Sequence, residues 1–339
     1  MTETLLKENQ EAVESFYAKP FKFSYSSLNK LLYSPQSFFS WYILGEKEDK
    51  LESYLIEGKV IHCLLLEKDM FDEQFIVMPG KIPSDNTRKV IDSVFKLWLS
   101  ADSPDKMKYT LSKAETAILD CLKEMNLHQS LKEDSKRLDK IITPDSNEYF
   151  EFLKRSQNKV IIDKETYDRC AEVVDQVRKH EKISELMRLN STDFELEEVH
   201  NEIPLEMDLH DCPFGLKGII DNLVINHNTK KVYVNDVKTT SKSLVDFPDT
   251  VEYYRYWMQA VIYTELVKSH FDLYDGWEII FHFVVIDKYN HIHPIKVSKE
   301  SLLDWQIWFN DEVLKAAKYH YNKKDYTLPY KFATDQVIL

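Results

Sequence analysis

The sequence predicts an α/β fold in which helices flank a central mixed β-sheet and a helical insertion precedes most of the sheet. Apolar strand-like runs cluster between residues 203 and 297, and a helical stretch at about 250–268 crosses between them. A polar, charged and helix-like region at about 84–158 comes before these runs. Strands interleaved with a crossing helix are typical of the α/β class.

Helices dominate the first part of the chain. Ser24 to Ser27 form an N-cap region, an apolar stripe of leucines follows, and Ser34-Pro35 ends this helix. An apolar helix is expected over residues 54–67. Phe75–Met78 is predicted as a short strand, and Lys159–Asp163 as a strand that leads into a helix capped by Asp163.

The predicted sheet is built from apolar segments in the second half of the chain. They are residues 203–209, 216–225, 231–238, 277–286 and 292–297. The second and third of these are apolar on both faces, which is typical of buried strands, and a turn at 226–229 joins them. A closing helix is expected at about 299–320.

At 339 residues the chain could form one large domain or two small ones. We expect one domain over residues 21–325, with the insertion at about 84–158 and tails at 1–20 and 326–339. The 339 residues are 43% hydrophobic, which supplies a sizeable core. Only six glycines and no repetitive tract argue against long flexible linkers.

The charge balance is acidic, with 44 basic against 57 acidic residues and a net charge of −13. This balance counts against a nucleic-acid binder, which is often basic. An enzyme needs only a local positive path, however, and basic residues cluster around 136–140, 152–159 and 238–242.

The location is expected to be cytoplasmic, without a membrane partner. The first residues are polar and no apolar run of 18 residues follows, so we expect neither a signal peptide nor a membrane span. The four cysteines lie far apart, without a CxxC pair, as in reduced cytosolic proteins. A zinc or iron–sulfur site built from them is not expected.

Three charged residues lie near the ends of the two predicted buried strands. Asp236 and Lys238 are two residues apart, so both project from the same face of their strand. If the two strands form a hairpin, Asp221 lies beside them. Two carboxylates and an ammonium in apolar surroundings are costly unless a divalent cation lies among them, which indicates a metal-dependent phosphodiesterase. The alternative is a surface hairpin with solvated charges.

The predicted helix after these strands carries a polar stripe. A helical wheel places Glu252, Arg255, Tyr256, Gln259 and Tyr263 on one side. Such a stripe in an aromatic helix suits the wall of an active site, where Gln259 could hold a water or a phosphate oxygen. The alternative is an ordinary solvent-facing side, especially for Glu252 and Arg255.

Other chemistries have weaker support in the sequence. There is no GxGxxG, P-loop, GxSxG or HExxH motif. His62 lies in an apolar helix turn four residues after Gly58, where a lone histidine is more often a hydrogen-bonded core residue than a ligand.

Taken together, four motifs resemble the PD-(D/E)xK nuclease superfamily, specifically its RecB-like branch and most closely the phage and prophage exonuclease VIII (RecE-type) nuclease domain. The motifs are Gly58-Lys-Val-Ile-His62, Gly218-Ile-Ile-Asp221, Asp236-Val-Lys238-Thr-Thr and Tyr256-Trp-Met-Gln259-Ala-Val-Ile-Tyr263. Any single motif is weak, but four in this order are a strong signal. The resemblance spans about residues 20–325 and implies a restriction-endonuclease-like core.

The resemblance implies a role for each matching residue. Those roles are metal ligation by His62, Asp221, Asp236 and the carbonyl of Val237, activation of the attacking water by Lys238, and support of the site by Gln259. Contacts to DNA are implied for Arg255, Tyr256, Tyr263 and Thr239. The implied cofactor is Mg²⁺ or Mn²⁺, which prefer carboxylate oxygens. A lysine beside such a dication is expected to have a lowered pKa.

The chain departs from the superfamily pattern in two ways. Related nucleases with an iron–sulfur cluster carry a cysteine before a proline, where this chain has Ser34-Pro35, and further cysteines after the glutamine helix, where it has none. No iron–sulfur cluster is therefore expected. The frequent additional acidic ligand has no clear counterpart, and Glu198 and Glu202 are its only candidates.

The resulting hypothesis is a metal-dependent exonuclease that resects linear double-stranded DNA for phage recombination or repair, in the host cytoplasm if it is phage-encoded. The resemblance further implies a homo-oligomer and a single-strand annealing protein as a partner. Two alternatives stay open: a structure-selective or single-strand endonuclease, and a non-catalytic DNA-binding or assembly module on the same fold.

Overall fold

The structure is a computed structural model that describes residues 10–47, 53–100, 108–190 and 197–337. The chain divides into two compact units. The first comprises residues 1–58, 65–67 and 173–339, and the second comprises residues 59–64 and 68–172.

The first unit contains a mixed six-stranded sheet. Its strands are β1 (Lys22–Phe23), β4 (Glu197–Asp208), β5 (Gly215–Asn226), β6 (Lys231–Thr239), β7 (Glu278–Ile286) and β8 (Ile292–Lys296). They follow the order β1-β5-β6-β7-β8, and β4 pairs with the other edge of β5. β6 and β7 are parallel, as are β1 and β5, whereas the remaining pairs are antiparallel. The predicted central mixed sheet is therefore confirmed.

Helices of the first unit cover both faces of this sheet. One face packs against the helix Tyr256–His270, whose apolar side chains join those of β5, β6 and β7 in the main core. The other face is contacted by the short helix Glu181–Met187. The remaining α-helices that lie wholly in this unit are Gln10–Tyr17, Tyr25–Tyr33, Pro35–Phe38, Phe247–Tyr253, Lys299–Trp308, Lys315–Lys323 and Tyr330–Ala333.

Two serines, Ser24 and Ser34, form N-terminal caps, and only the first lies in the N-cap region that the sequence predicts. Ser24 caps the helix Tyr25–Tyr33, because its hydroxyl accepts the backbone N–H of Ser27. Pro35 begins the next short helix, whose N-cap is Ser34. The predicted closing helix at 299–320 contains a π-helical segment, Phe309–Leu314, between its two α-helical parts.

The second unit is mainly helical and has its own core. Its α-helices are Phe71–Gln74, Asp85–Ser100, Glu115–Glu124, Asp134–Ile141 and Pro144–Arg155. Val90, Ile91, Ile118, Leu122 and Phe150 are fully buried among them. This unit also contains the parallel strands β2 (Phe75–Val77) and β3 (Val160–Ile162).

Two long helices contribute residues to both units. They are Ser53–Leu66 and Lys164–Lys179. The carboxylate of Asp163 accepts the backbone N–H of Thr166 at 2.6 Å, so Asp163 lies at the predicted N-terminal cap. None of the helices in the described ranges is long and apolar enough to cross a membrane. The division into one domain with an insertion at 84–158 stays a prediction.

Candidate active site

The site is built where strand β6 separates from β5. The two strands pair from Asn226↔Lys231 to Asn222↔Asn235, and the pairing then ends. At this fork Asp221 Oδ2 accepts the backbone N–H of Val237 at 2.7 Å. The carboxylate therefore accepts a hydrogen bond from a buried strand N–H that lies beyond the end of the β5–β6 pairing. This bond holds Asp221, which is 8% exposed, beside the end of β6.

Asp236 and Lys238 project from the same face of β6, as their spacing predicts. Asp236 is fully buried, and its Oδ2 lies 2.6 Å from Lys238 Nζ. Burial lowers the pKa of Lys238, but the carboxylates of Asp236 and Asp221 outweigh this effect and hold the pKa above its ordinary value. The lysine is thus an ammonium ion in the protein without a metal. The predicted lowering of its pKa by a dication stays a prediction.

Gln259 connects the helix Tyr256–His270 to the acidic residues. Its Nε2 donates to Asp236 Oδ1 at 2.8 Å and to the hydroxyl of Tyr263 at 2.9 Å. Its Oε1 is buried and accepts no hydrogen bond from any residue in the described ranges. A buried amide oxygen in this state needs a donor, such as a water or a ligand of the site.

Tyr263 lies close to β5 because Gly218 has no side chain. A Cβ atom at Gly218 would lie 2.7 Å from Cε1 of Tyr263, well inside normal contact distance. Burial, and then the nearby carboxylates of Asp236 and Asp221, hold the pKa of Tyr263 well above its usual value. The phenol is therefore neutral and available as a hydrogen-bond partner.

Glu202 brings a further carboxylate to Asp221. It lies opposite Asp221 in the β4–β5 ladder, between the pairs Asn201↔Asn222 and Ile203↔Ile220. A carboxylate oxygen of Glu202 and one of Asp221 lie within 4.8 Å of each other. The backbone of Glu202 has φ = +48°, a region that non-glycine residues rarely adopt within a strand.

The carboxylates of Glu202 and Asp221 are suited to hold a metal ion. Two carboxylates that face each other across a ladder repel unless a cation or proton offsets the repulsion. One residue of this pair also lies on strained backbone. The donors are carboxylate oxygens, which Mg²⁺ and Mn²⁺ prefer. The other acidic candidate, Glu198, is hydrogen-bonded to His200 and His227 instead. The residues of the first unit therefore fit a divalent cation, and Glu202 is the better candidate ligand.

Asparagines support these strands from the opposite face. The Nδ2 of Asn222 donates to Asn201 Oδ1, and the Nδ2 of Asn235 donates to Asn222 Oδ1, both at 2.8 Å. Each asparagine is the sequence neighbour of a carboxylate: Glu202, Asp221 or Asp236. Motif-based reasoning missed these amides, although polar residues inside apolar strands were a visible signal.

Two further residues, His62 and Val237, are implied as metal ligands by the motif resemblance. His62 is half-buried in the helix Ser53–Leu66 and belongs to the second unit. Val237 is buried near the end of the β6–β7 ladder, where it pairs with Val284. Ligation by the imidazole and by the backbone carbonyl stays a prediction.

The predicted DNA-contacting residues have different environments. The ring of Tyr256 lies under Lys238, with Nζ 4.9 Å from the ring centroid. Thr239 lies against Gly58, where a Cβ atom would approach Thr239 Oγ1 to 2.9 Å. Arg255 instead donates from Nη1 to Asn29 Oδ1 at 2.8 Å, so its guanidinium holds two helices together.

The helix predicted at about 250–268 is in fact two helices, Phe247–Tyr253 and Tyr256–His270. The prediction of one continuous polar stripe is therefore wrong. Arg255, whose backbone has φ = +57°, lies between the two helices and separates them. Glu252 therefore lies on a different helix from Gln259. Tyr256, Gln259 and Tyr263 do share one side of the second helix.

Comparison with known proteins identifies the family of the chain. Residues 125–327 match the model of the PD-(D/E)XK nuclease superfamily, which is more than half of the chain. The chain belongs to this superfamily. Its fold is therefore the restriction-endonuclease-like fold, and nucleases of this superfamily use divalent metals. The assignment of Asp221, Asp236 and Lys238 to the acidic residues and the lysine of its motif stays a prediction.

A solved structure is also similar. It is the crystal structure of a protein from Eubacterium rectale that is provisionally assigned as an exonuclease, with a TM-score of 0.47 and 11% identity. The match covers 94% of this chain and 89% of the other. No curated protein matches the chain.

Proposed function

We propose that this PD-(D/E)XK protein is a Mg²⁺- or Mn²⁺-dependent deoxyribonuclease that degrades linear double-stranded DNA from its ends. The observation that carries the proposal is the fork between β5 and β6, where Asp221 is bonded to Val237 and Asp236 to both Lys238 and Gln259. Membership of a nuclease superfamily supports hydrolysis of phosphodiester bonds.

In this proposal Asp221, Asp236 and Glu202 hold the cation, with His62 and the Val237 carbonyl as the further ligands that the motif resemblance implies. When bound, the cation supplies positive charge that offsets the charge gathering on the phosphoryl oxygens and acidifies the attacking water. The carboxylates also keep the Lys238 ammonium in a fixed position, since the Nζ–Oδ2 distance to Asp236 is 2.6 Å.

The chain's own residues orient the water and the phosphate. Lys238 is placed to donate to the attacking water or to a phosphate oxygen, which lowers the cost of charge development. Gln259 Oε1, a buried acceptor, is placed to accept a hydrogen bond from a water in the site. Because Gln259 Nε2 is fixed by Asp236 and Tyr263, its oxygen has one orientation.

The end-dependent mode, the preference for duplex DNA and a place in phage recombination rest on the motif resemblance. The same support underlies a homo-oligomer and an annealing protein as partner, whereas a cytoplasmic site of action rests on the four widely spaced cysteines. The endonuclease and the non-catalytic binding module are the competing accounts, and a single assay separates them.

The assay incubates the purified protein with end-labelled linear duplex and with covalently closed circular DNA, in Mg²⁺, Mn²⁺ or EDTA. Lys238→Ala is compared with Lys231→Ala, a matched control at the other end of β6 whose side chain is 42% exposed. We expect metal-dependent loss of the linear DNA alone, at least about a hundredfold slower in Lys238→Ala, on the scale of a lost electrostatic contact to the transition state.

Two results contradict the proposal. Cutting of closed circles supports the endonuclease. Binding of DNA without hydrolysis in either metal supports the binding module.

A further inference from the structure

Three tyrosines form a row that leads from Lys238 to the surface. The ring of Tyr256 lies under the Lys238 ammonium, and Tyr254 stacks on Tyr256 with centroids 5.6 Å apart and planes 24° apart. Tyr253 meets Tyr254 edge to face at 4.9 Å. Two ring contacts therefore connect the candidate active site to Tyr253, which is 78% exposed.

The corner that carries the outer rings is held rigidly. The carbonyl of Tyr254 accepts hydrogen bonds from the Tyr25 hydroxyl at 2.5 Å and from Asn29 Nδ2 at 3.5 Å. Arg255 donates to Asn29 Oδ1, and its left-handed backbone ends one helix immediately before the next. Backbone strain held by surrounding contacts is frequent at functional sites.

The outer rings do not serve the core. Phe247, on the same short helix as Tyr253, is 1% exposed, whereas Tyr253 and Tyr254 are 78% and 46% exposed. Exposed aromatic rings that contact each other beside a site offer apolar faces on which a flat ligand can stack. The stack continues from Tyr256, whose ring lies under Lys238, the residue that is proposed to donate to the attacking water or to a phosphate oxygen.

We propose that Tyr253 and Tyr254 form a stacking platform for unpaired DNA bases beside the cleavage point. Aromatic rings bind the flat faces of bases irrespective of sequence, whereas bases within a duplex already stack on their neighbours and do not offer these faces. The inference rests on the proposed nuclease function and narrows its substrate. The enzyme acts on ends whose last nucleotides are unpaired, either in a single-stranded extension or in a frayed duplex.

A binding experiment tests the platform without hydrolysis. Short single strands that carry 2-aminopurine are titrated with protein in EDTA, because the fluorescence of this base falls when it stacks. We compare wild type with Tyr254→Ala, Tyr253→Ala and Tyr254→Phe, which keeps the ring. Tyr274→Ala is the matched control, since Tyr274 is 59% exposed and lies after the end of the helix Tyr256–His270.

The expected result is quenching by wild type, Tyr254→Phe and Tyr274→Ala, with binding about tenfold weaker in each of the other two variants. In Mg²⁺ or Mn²⁺, wild type should cut a duplex with a five-nucleotide extension faster than a blunt duplex. Tyr254→Ala should lose this difference through a higher KM. Its circular dichroism and melting temperature show whether it is folded.

Equal quenching by wild type and the alanine variants overturns the platform, whether or not the protein is a nuclease. A changed oligomeric state in Tyr253→Ala with unchanged quenching also overturns it, and assigns the rings to contact between copies of the chain. If the protein cuts no DNA but the quenching depends on the two rings, the nuclease proposal fails while the stacking surface stands.

Discussion

Gln259 Nε2 donates to Asp236 Oδ1 at 2.8 Å, and the two residues are 23 positions apart in sequence. A helix and a strand therefore meet at one buried carboxylate. The same amide nitrogen donates to Tyr263. Asp236 is therefore fixed by Lys238 on one oxygen and by Gln259 on the other.

We expect Gln259→Leu to lower kcat by about ten- to a hundredfold, as is usual when a residue that orients a metal ligand is lost. The leucine removes the donor to Asp236 while it fills much of the same space. The measurement is single-turnover cleavage of linear DNA. Gln306→Ala is the control, because Gln306 donates to another carboxylate, Glu265, at 2.6 Å. Equal rates in the two variants would contradict the role of Gln259.

Glu202→Gln should change stability in opposite directions without and with metal. Without metal it removes the repulsion from Asp221, and we expect stabilisation by up to about 1 kcal/mol. With metal it removes a ligand, so the increase in melting temperature on adding Mn²⁺ should shrink.

The measurement is thermal melting in EDTA and in Mn²⁺. Glu198→Gln is the control on the same strand, since Glu198 bonds to His200 and His227. An unchanged response of Glu202→Gln to Mn²⁺ would exclude Glu202 as a ligand.

Gly218→Ala should destabilise the protein and slow cleavage together. The added methyl group would meet Tyr263 at 2.7 Å, and Tyr263 is bonded to Gln259. Overpacking of this kind costs about 1–3 kcal/mol. Urea unfolding and cleavage rates measure the two effects. In Gly80→Ala neither should change, because within the described ranges no residue other than the two chain neighbours has an atom within 4 Å of the new methyl group.

His282 predicts a loss of stability in mild acid. It is buried on β7, and burial lowers its pKa from 6.5 to about 4, with a smaller contribution from Lys296. Between these values the unfolded chain binds the proton and the folded protein does not. Stability therefore falls as the pH falls below about 6.5, and this contribution is complete near pH 4.

Between pH 7 and pH 5 the contribution of His282 is about 2 kcal/mol. Urea unfolding at both values, for wild type and His282→Leu, isolates it because the other titrating groups are shared. His293→Leu is the control, because His293 is exposed on β8. If His282→Leu loses as much stability on acidification as wild type, the histidine is not responsible.

The sequence was enough to predict the parts of the site that depend on regular periodicity. Strand alternation places Asp236 and Lys238 on one face, and helical spacing places Gln259 and Tyr263 on one side. The central sheet followed from its apolar runs. Roles in ligation and DNA contact still rest on the motif resemblance.

Features that depend on tertiary contacts were not predictable. No glycine or proline marks the break at Arg255, whose left-handed backbone is held by Asn29, 226 residues away in sequence. Glu202 could be named as a candidate, but only the β4–β5 register places it opposite Asp221. The stack from Tyr256 to Tyr253 likewise exists because of that break.

The asparagine row behind the carboxylates bears on how the chain finds its native pairing during folding. Shifting β6 by one residue against β5 would turn Asp236 away from the site and put Asn235 in its place. The same shift would separate Asn235 from Asn222, so the buried Oδ1 of Asn222 would lose the donor that Asn235 supplies. Misaligned intermediates are thus disfavoured before any cation or DNA binds. The hydrogen bond between the two amides favours the strand register that brings the neighbouring acidic residues into the site.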